Sequence, residues 1–281
     1  SRHPVALRVE RRVGEGTRLL ATVMALPLLD GIFAALVLAG AVSSILGMVE
    51  VGLLIFGGSA TLAVVLAEME GSRRERVRNI LVVGAVVVPV AAVQAAIAPT
   101  IESMLAMEVF ERFAALVILA VAARTASATV GEYLPGPGVV IALGLVASFQ
   151  PNGFELQFVS EPMFVVYGTG AAAIGVGFAL AVALFGPWLR GNVDIDRFRF
   201  GSAVALGVLP LSSLQVGPIT GEEPLALVVL ALTGLLAFNP EGAIDADDAG
   251  SVPAATDGGP GADPDAGPSA DGDADSGPAS G

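Results

Sequence analysis

Asn79-Ile80-Leu81-Val82-Val83-Gly84-Ala85-Val86-Val87-Val88-Pro89-Val90-Ala91-Ala92-Val93-Gln94-Ala95-Ala96-Ile97-Ala98 is a run of twenty residues with no charge, and Arg73, Arg74, Arg76 and Arg78 stand just before it. As a helix rising about 1.5 Å per residue, such a run is about 30 Å long, the thickness of a bilayer's hydrocarbon core. The arginines also give it a direction, because basic residues collect on the cytoplasmic side of a membrane. The loop that follows, from Pro99 to Glu108, holds no arginine.

Working outward from this segment, the same reading predicts about eight spans, at 19–42, 49–67, 79–98, 109–130, 137–150, 163–186, 201–217 and 223–239. The expected fold is an all-α, polytopic transmembrane helical bundle. The short fifth segment, ending in Gln150-Pro151-Asn152-Gly153, reads as a full span or a re-entrant element. The arginines before span one, between spans two and three and between spans six and seven all fall on one side. Both termini are therefore expected in the cytoplasm, with the bilayer as the main partner. Residues 1–18 read as a basic cytoplasmic juxtamembrane arm, 19–239 as the transmembrane domain, and 240–281 as a disordered acidic tail of Asp, Gly, Pro, Ala and Ser.

Composition agrees. Of 281 residues, 54% are hydrophobic and 15% charged, and mean hydropathy is +0.77. The net charge of −13 is concentrated in the tail, since residues 240–281 hold ten of the 27 acids and the rest sets 17 acids against 14 basic residues, all arginine. Without lysine or cysteine, and with His3 the single histidine, the membrane domain has no residue for a Schiff base, a thiolate or a haem, iron–sulfur or zinc site. No cofactor or metal is expected. Nor is an enzyme: Gly57-Gly58-Ser59 has no histidine to activate the serine, and no HExxH, Walker A or Gly-x-Gly-x-x-Gly motif occurs. The arginine clusters are short loops, so no nucleic-acid partner is expected. The sequence does not define the oligomeric state.

An internal repeat is legible. Glu50 and Phe56-Gly57-Gly58-Ser59-Ala60 match Glu161 and Tyr167-Gly168-Thr169-Gly170-Ala171 at an offset of 111 residues, and Pro89 with Gln94 matches Pro210 with Gln215 at an offset of 121. This predicts two parallel four-helix repeats, 19–130 and 137–239, related by an axis along the membrane normal.

The candidate functional residues follow from this frame. Asp30 lies about eleven residues into span one, three after Pro27, and an acid at that depth costs a few kcal/mol (~2.5–3.5 on insertion scales) unless it faces a cavity or a partner. It is the candidate titratable group of an ion or proton pathway, and a neutral hydrogen bond between helices is the bland alternative. Arg124 is a candidate intramembrane charge partner, or an arginine that snorkels to the interface. Glu50 and Glu161 stand at matched outer helix ends, as the mouth of a cation path or as carboxylates favoured by helix dipoles. Gln94 and Gln215 are candidate lining amides beside Pro89 and Pro210, which with Pro27 are expected to kink or break their helices.

Ala25-Leu26-Pro27-Leu28-Leu29-Asp30-Gly31-Ile32-Phe33, Val51-Gly52-Leu53-Leu54-Ile55-Phe56-Gly57-Gly58-Ser59-Ala60-Thr61 and Ala67-Glu68-Met69 resemble a haloarchaeal family of polytopic membrane proteins of unknown function, over residues 1–239. The resemblance implies the plasma membrane of a halophilic archaeon and adds no activity or site. The expected function is secondary transport of a small cation or small solute, or ion translocation, through an intramembrane carboxylate. The alternative is a non-transporting membrane scaffold or assembly factor that presents the acidic tail.

Overall fold

The computed structural model describes residues 15–69, 71–150, 162–213 and 225–238. Among them all regular elements are helices and no sheet forms. Two isolated antiparallel bridges, Leu105 with Phe149 and Val193 with Phe238, tie helix ends together. The basic arm up to residue 14, Glu161, Gln215 and the acidic tail lie outside the described residues.

The chain opens with α1 (Glu15–Leu29) and α2 (Ile32–Leu38). Next come α3 (Ile45–Val51), a π-helical segment Gly52–Phe56, α4 (Ser59–Ala63) and a second π-helical segment Val64–Glu68. Then follow α5 (Arg73–Glu102), α6 (Met107–Ala126), α7 (Ala128–Tyr133), α8 (Pro137–Ser148), α9 (Pro162–Asn192), α10 (Ile195–Ser213) and α11 (Leu225–Ala237). Helix α5 begins six residues before the expected span, at a cap formed by Ser72 and Glu75. Ser72 and Glu75 form a reciprocal capping box, the Ser72 hydroxyl accepting from the Glu75 N–H and the Glu75 carboxylate accepting from the Ser72 N–H.

Two helices, α5 and α9, are long and apolar enough to cross a membrane. The count rises to four if α1–α2 and the segment from Ile45 to Glu68, each bent at a short break by 42° and 50°, are taken as single spans. The expectation of about eight spans is thereby overturned. Helices α8 and α11 have 12 and 13 residues, about 18–20 Å at the helical rise and short of the hydrocarbon thickness. Helices α6 and α10 have the length but carry charge, Glu111, Arg112 and Arg124 in one and Asp196, Arg197 and Arg199 in the other. Long apolar helices with outward valines and leucines, such as Val82, Val86 and Val93 on α5, fit a lipid bilayer as their surroundings.

The helices pack in two groups. Helix α9 lies along α5 and against the Ile45–Glu68 segment, and α1 and α2 close the ring by packing on α5 and on that segment. Beside it, α8 packs on α6, α6 on α10 and α10 on α11, joined to the ring through α2 with α6 and α4 with α10. Two parallel four-helix repeats do not describe this arrangement. Such repeats would set α8 against α10 as α1 and α2 lie against α5, yet α8 packs on α6. They would also match the close pairing of α10 with α11 by one of α5 with α6, and no comparable packing is found among the described residues.

Small residues make the ring tight. Gly168, Ala171, Ala172, Gly175 and Ala179 are buried along one face of α9. A Cβ on Gly84 of α5 would lie 2.8 Å from Val176, and one on Gly168 would lie 2.6 Å from the Cβ of Ala95. In lipid there is no hydrophobic force between helices, so this close approach supplies the packing that holds them together.

Candidate functional site

The most unusual local structure is the pair of helix breaks in the ring. Pro27 weakens the end of α1 because it donates no backbone hydrogen bond, and Gly31 then takes φ = 77°, a left-handed conformation that only glycine adopts cheaply. The Asp30 N–H still reaches the Leu26 carbonyl at 2.8 Å, and α2 restarts with Ala35 donating to Gly31. In the second chain segment the turn widens at Gly52, where the Gly57 N–H reaches back five residues to the Gly52 carbonyl. Gly58 is then extended (ψ −176°) before α4 begins. The Thr61 hydroxyl donates to the Phe56 carbonyl at 2.7 Å, satisfying an acceptor that the break releases. Wide π turns inside helices concentrate at functional positions.

The elements that carry the breaks touch. Phe33, two residues past the first, and Phe56, just before the second, meet edge to face with centroids 5.3 Å apart, and both rings are fully buried. Gln94 on α5 donates from Nε2 to the Leu28 carbonyl at 2.8 Å, across 66 residues of sequence, while its Oε1 is buried with no hydrogen-bond partner. At the second break Ser202 of α10 is buried, its Oγ lacks a partner, and it lies 4.0 Å from where a Gly58 Cβ would stand. Each break thus has an unsatisfied polar atom beside it, in an interior where such atoms are normally paired.

Asp30 sits at the first break, half-buried, with its backbone carbonyl oxygen 3.6 Å from the position of a Cβ on Gly138 at the start of α8. Its carboxylate makes no hydrogen bond or ion pair with a described residue. Arg124 goes elsewhere: its Nε donates to the Gly131 carbonyl at 3.0 Å and its Nη2 to the Leu134 carbonyl at 3.3 Å, so it closes the end of α7. Glu50 also has a local task, accepting the Leu227 N–H at 3.4 Å in the first turn of α11, where a carboxylate meets free amides and the positive end of a helix dipole. Pro89 and Pro210 do not break their helices, since α5 and α10 each run through as one element. Glu161 and Gln215 lie outside the described residues, so the matched pairs of the sequence reading are represented here by Glu50 and Gln94.

Sequence reasoning placed Asp30, Pro27 and Gln94 among the candidates and missed Ser202 and the break at Gly57-Gly58. The adjacent glycines were the available signal, but they read equally well as a packing face. Among the described residues no group of three or more His, Cys, Asp or Glu side chains is placed to hold a metal.

Residues 87–214, a little under half of the chain, match a family described only as a family of unknown function (DUF5794). The matched stretch contains Gln94, Arg124, Pro210 and Ser202, and leaves Asp30 and Glu50 outside it. Nothing in that match ties the chain to haloarchaea. No curated protein and no solved structure matches it.

Proposed function

We propose that the protein is a secondary transporter or ion-translocating membrane protein whose pathway passes the two helix breaks, with Asp30 as its titratable group. The observation that carries this reading is the pair of contacting broken elements with an unsatisfied polar atom at each break, Gln94 Oε1 at one and Ser202 Oγ at the other. Broken helices are tolerated at membrane depth where the freed backbone lines a cavity or a site, and transporters use such ends to bind small ions. A carboxylate there can exchange a proton or, with freed carbonyls, offer oxygen ligands to a small cation. Gln94 holds one freed carbonyl by its amide and presents an oxygen acceptor inward. The role is transport rather than enzymatic catalysis, and the Lys-free, acidic composition supports a salt-adapted archaeal plasma membrane as its setting.

The test is flux into proteoliposomes under imposed proton, sodium and divalent-cation gradients, comparing wild type with Asp30→Asn. Flux that Asp30→Asn abolishes in a folded protein supports the reading. Equal flux in both removes Asp30 from the mechanism, and no flux in either, for protons, sodium or divalent cations, favours a scaffold in which the breaks serve packing alone.

A further inference from the structure

A second polar feature lies at the arginine-bearing end of the ring, away from both breaks and independent of the transport reading. Here the start of α5, the end of α9 and the end of the second π-helical segment surround a pocket of about 460 Å³ lined by Leu66, Ala67, Met69, Gly71, Arg76 and Arg190. Arg76 is only 7% exposed, its Nε is buried without a partner, and no carboxylate among the described residues pairs with it. Its guanidinium lies against α9, with Nη1 3.3 Å from where a Gly186 Cβ would stand, so the missing side chain makes its room. Arg190 is one turn further along the same helix face. It is held by a hydrogen bond from Nε to the Leu66 carbonyl at 2.9 Å, which leaves its two terminal nitrogens for another acceptor.

The nearby described acids do not neutralise this pair. Glu75 is committed to Ser72 through its Oε2, and Glu68 is exposed and absent from the pocket wall. A buried guanidinium without an anion is costly, and removing a partner from a buried charge is among the most destabilising changes known. Two forked guanidiniums around one pocket match the geometry of phosphate oxygens, and basic pockets between membrane helices are where acidic headgroups lodge.

We propose that Arg76 and Arg190 form a binding site for a phosphate group, supplied either by the headgroup of an anionic phospholipid or by free phosphate.

The experiment uses the full chain, purified in a neutral detergent, with two arms. In the first, inorganic phosphate is titrated at constant ionic strength and followed by calorimetry. In the second, the protein is placed in nanodiscs of phosphatidylcholine with or without phosphatidylglycerol, and retained lipid is counted by native mass spectrometry. Wild type is compared with Arg76→Gln, with Arg190→Gln at an exposed position that leaves the core intact, and with Arg74→Gln, an exposed arginine on α5 outside the pocket. The expected result is saturable binding in at least one arm, weakened tenfold or more by either pocket substitution and less than twofold by Arg74→Gln. Binding only in the lipid arm identifies a headgroup site, and binding only in the first arm a free-phosphate site. Silence in both arms overturns the proposal, as does equal loss in all three variants, which marks a diffuse basic surface. Glu70, outside the described residues, is tested by Glu70→Gln. Binding that appears only in that variant also overturns the proposal, because the chain then supplies its own counter-charge.

Discussion

Replacing Gly52 by alanine tests the packing of the ring at a close approach between the π-helical segment and α9. Gly52 has φ −59° and ψ −46°, so alanine suits its backbone, and any penalty comes from contact alone. The added Cβ would lie 2.6 Å from the Ala171 carbonyl oxygen and 2.8 Å from the Ile174 Cβ. Carbon and carbonyl oxygen ordinarily approach to about 3.3 Å, so α9 must retreat by about 0.7 Å, and the atoms in the way belong to backbone and a β-branched side chain. Overpacking of this kind costs about 1–3 kcal/mol, partly offset by alanine's helix preference over glycine, about 0.5–1 kcal/mol. The net expectation is a loss of up to about 2.5 kcal/mol. Gly177, on the same partner helix, has open space around its Cβ position, so Gly177→Ala should gain about 0.5–1 kcal/mol. Alanine's helix preference is common to both, so the two alanines should differ by the overpacking cost, about 1–3 kcal/mol. Reversible denaturation in mixed micelles measures this, with the single Trp188, stacked on Phe238 at 5.8 Å, as the fluorescent reporter. If Gly52→Ala proves as stable as Gly177→Ala, α9 does not pack on the π-helical segment as described.

Other consequences follow from the same contacts. Glu50→Ala removes the acceptor at the first turn of α11 and should cost about 0.5–2 kcal/mol, the usual range for a lost helix cap, with faster amide exchange at Ala226 and Leu227. Unchanged exchange there would mean that the carboxylate does not cap this helix. Gln94→Leu removes one hydrogen bond to Leu28 and also the unsatisfied Oε1, so stability should change by less than about 1 kcal/mol. Its ion flux should nonetheless fall at least tenfold, and a fully active Gln94→Leu would remove the amide from the pathway.

What the sequence made legible, and what it did not, divides by how local the physics is. Helices α5 and α9 follow from uninterrupted apolar runs, and the tight face of α9 from its glycines and alanines, whereas the start of α5 at the capping box of Ser72 and Glu75 was not read from the sequence. The count of spans failed because windows of apolar residues tolerate Glu111, Arg112 and Arg124, or stretch a 13-residue helix such as α11 across neighbouring loops. The prolines did not act alike. Pro27 works together with Gly31, whose left-handed backbone completes the break, whereas Pro89 removes one hydrogen bond from a helix that α9 supports along its length. The repeat was read from matched Glu, Pro and Gln positions, but contacts decide symmetry, and α8 does not have the neighbours that α1 and α2 have. The partners of Gln94 and Glu50 lie 66 and 177 residues away, beyond any spacing rule, and Ser202 gave no signal because a lone serine in a helix carries none.

Charge movement on solid-supported membranes tests the central claim most directly. Wild type and Asp30→Asn, each shown to be folded by its denaturation profile, are exposed to rapid jumps in proton, sodium and divalent cation concentration. The account predicts a transient current for at least one cation in wild type and its loss in Asp30→Asn. A current of the same size in both proteins, or no current in either together with no flux in proteoliposomes, contradicts it.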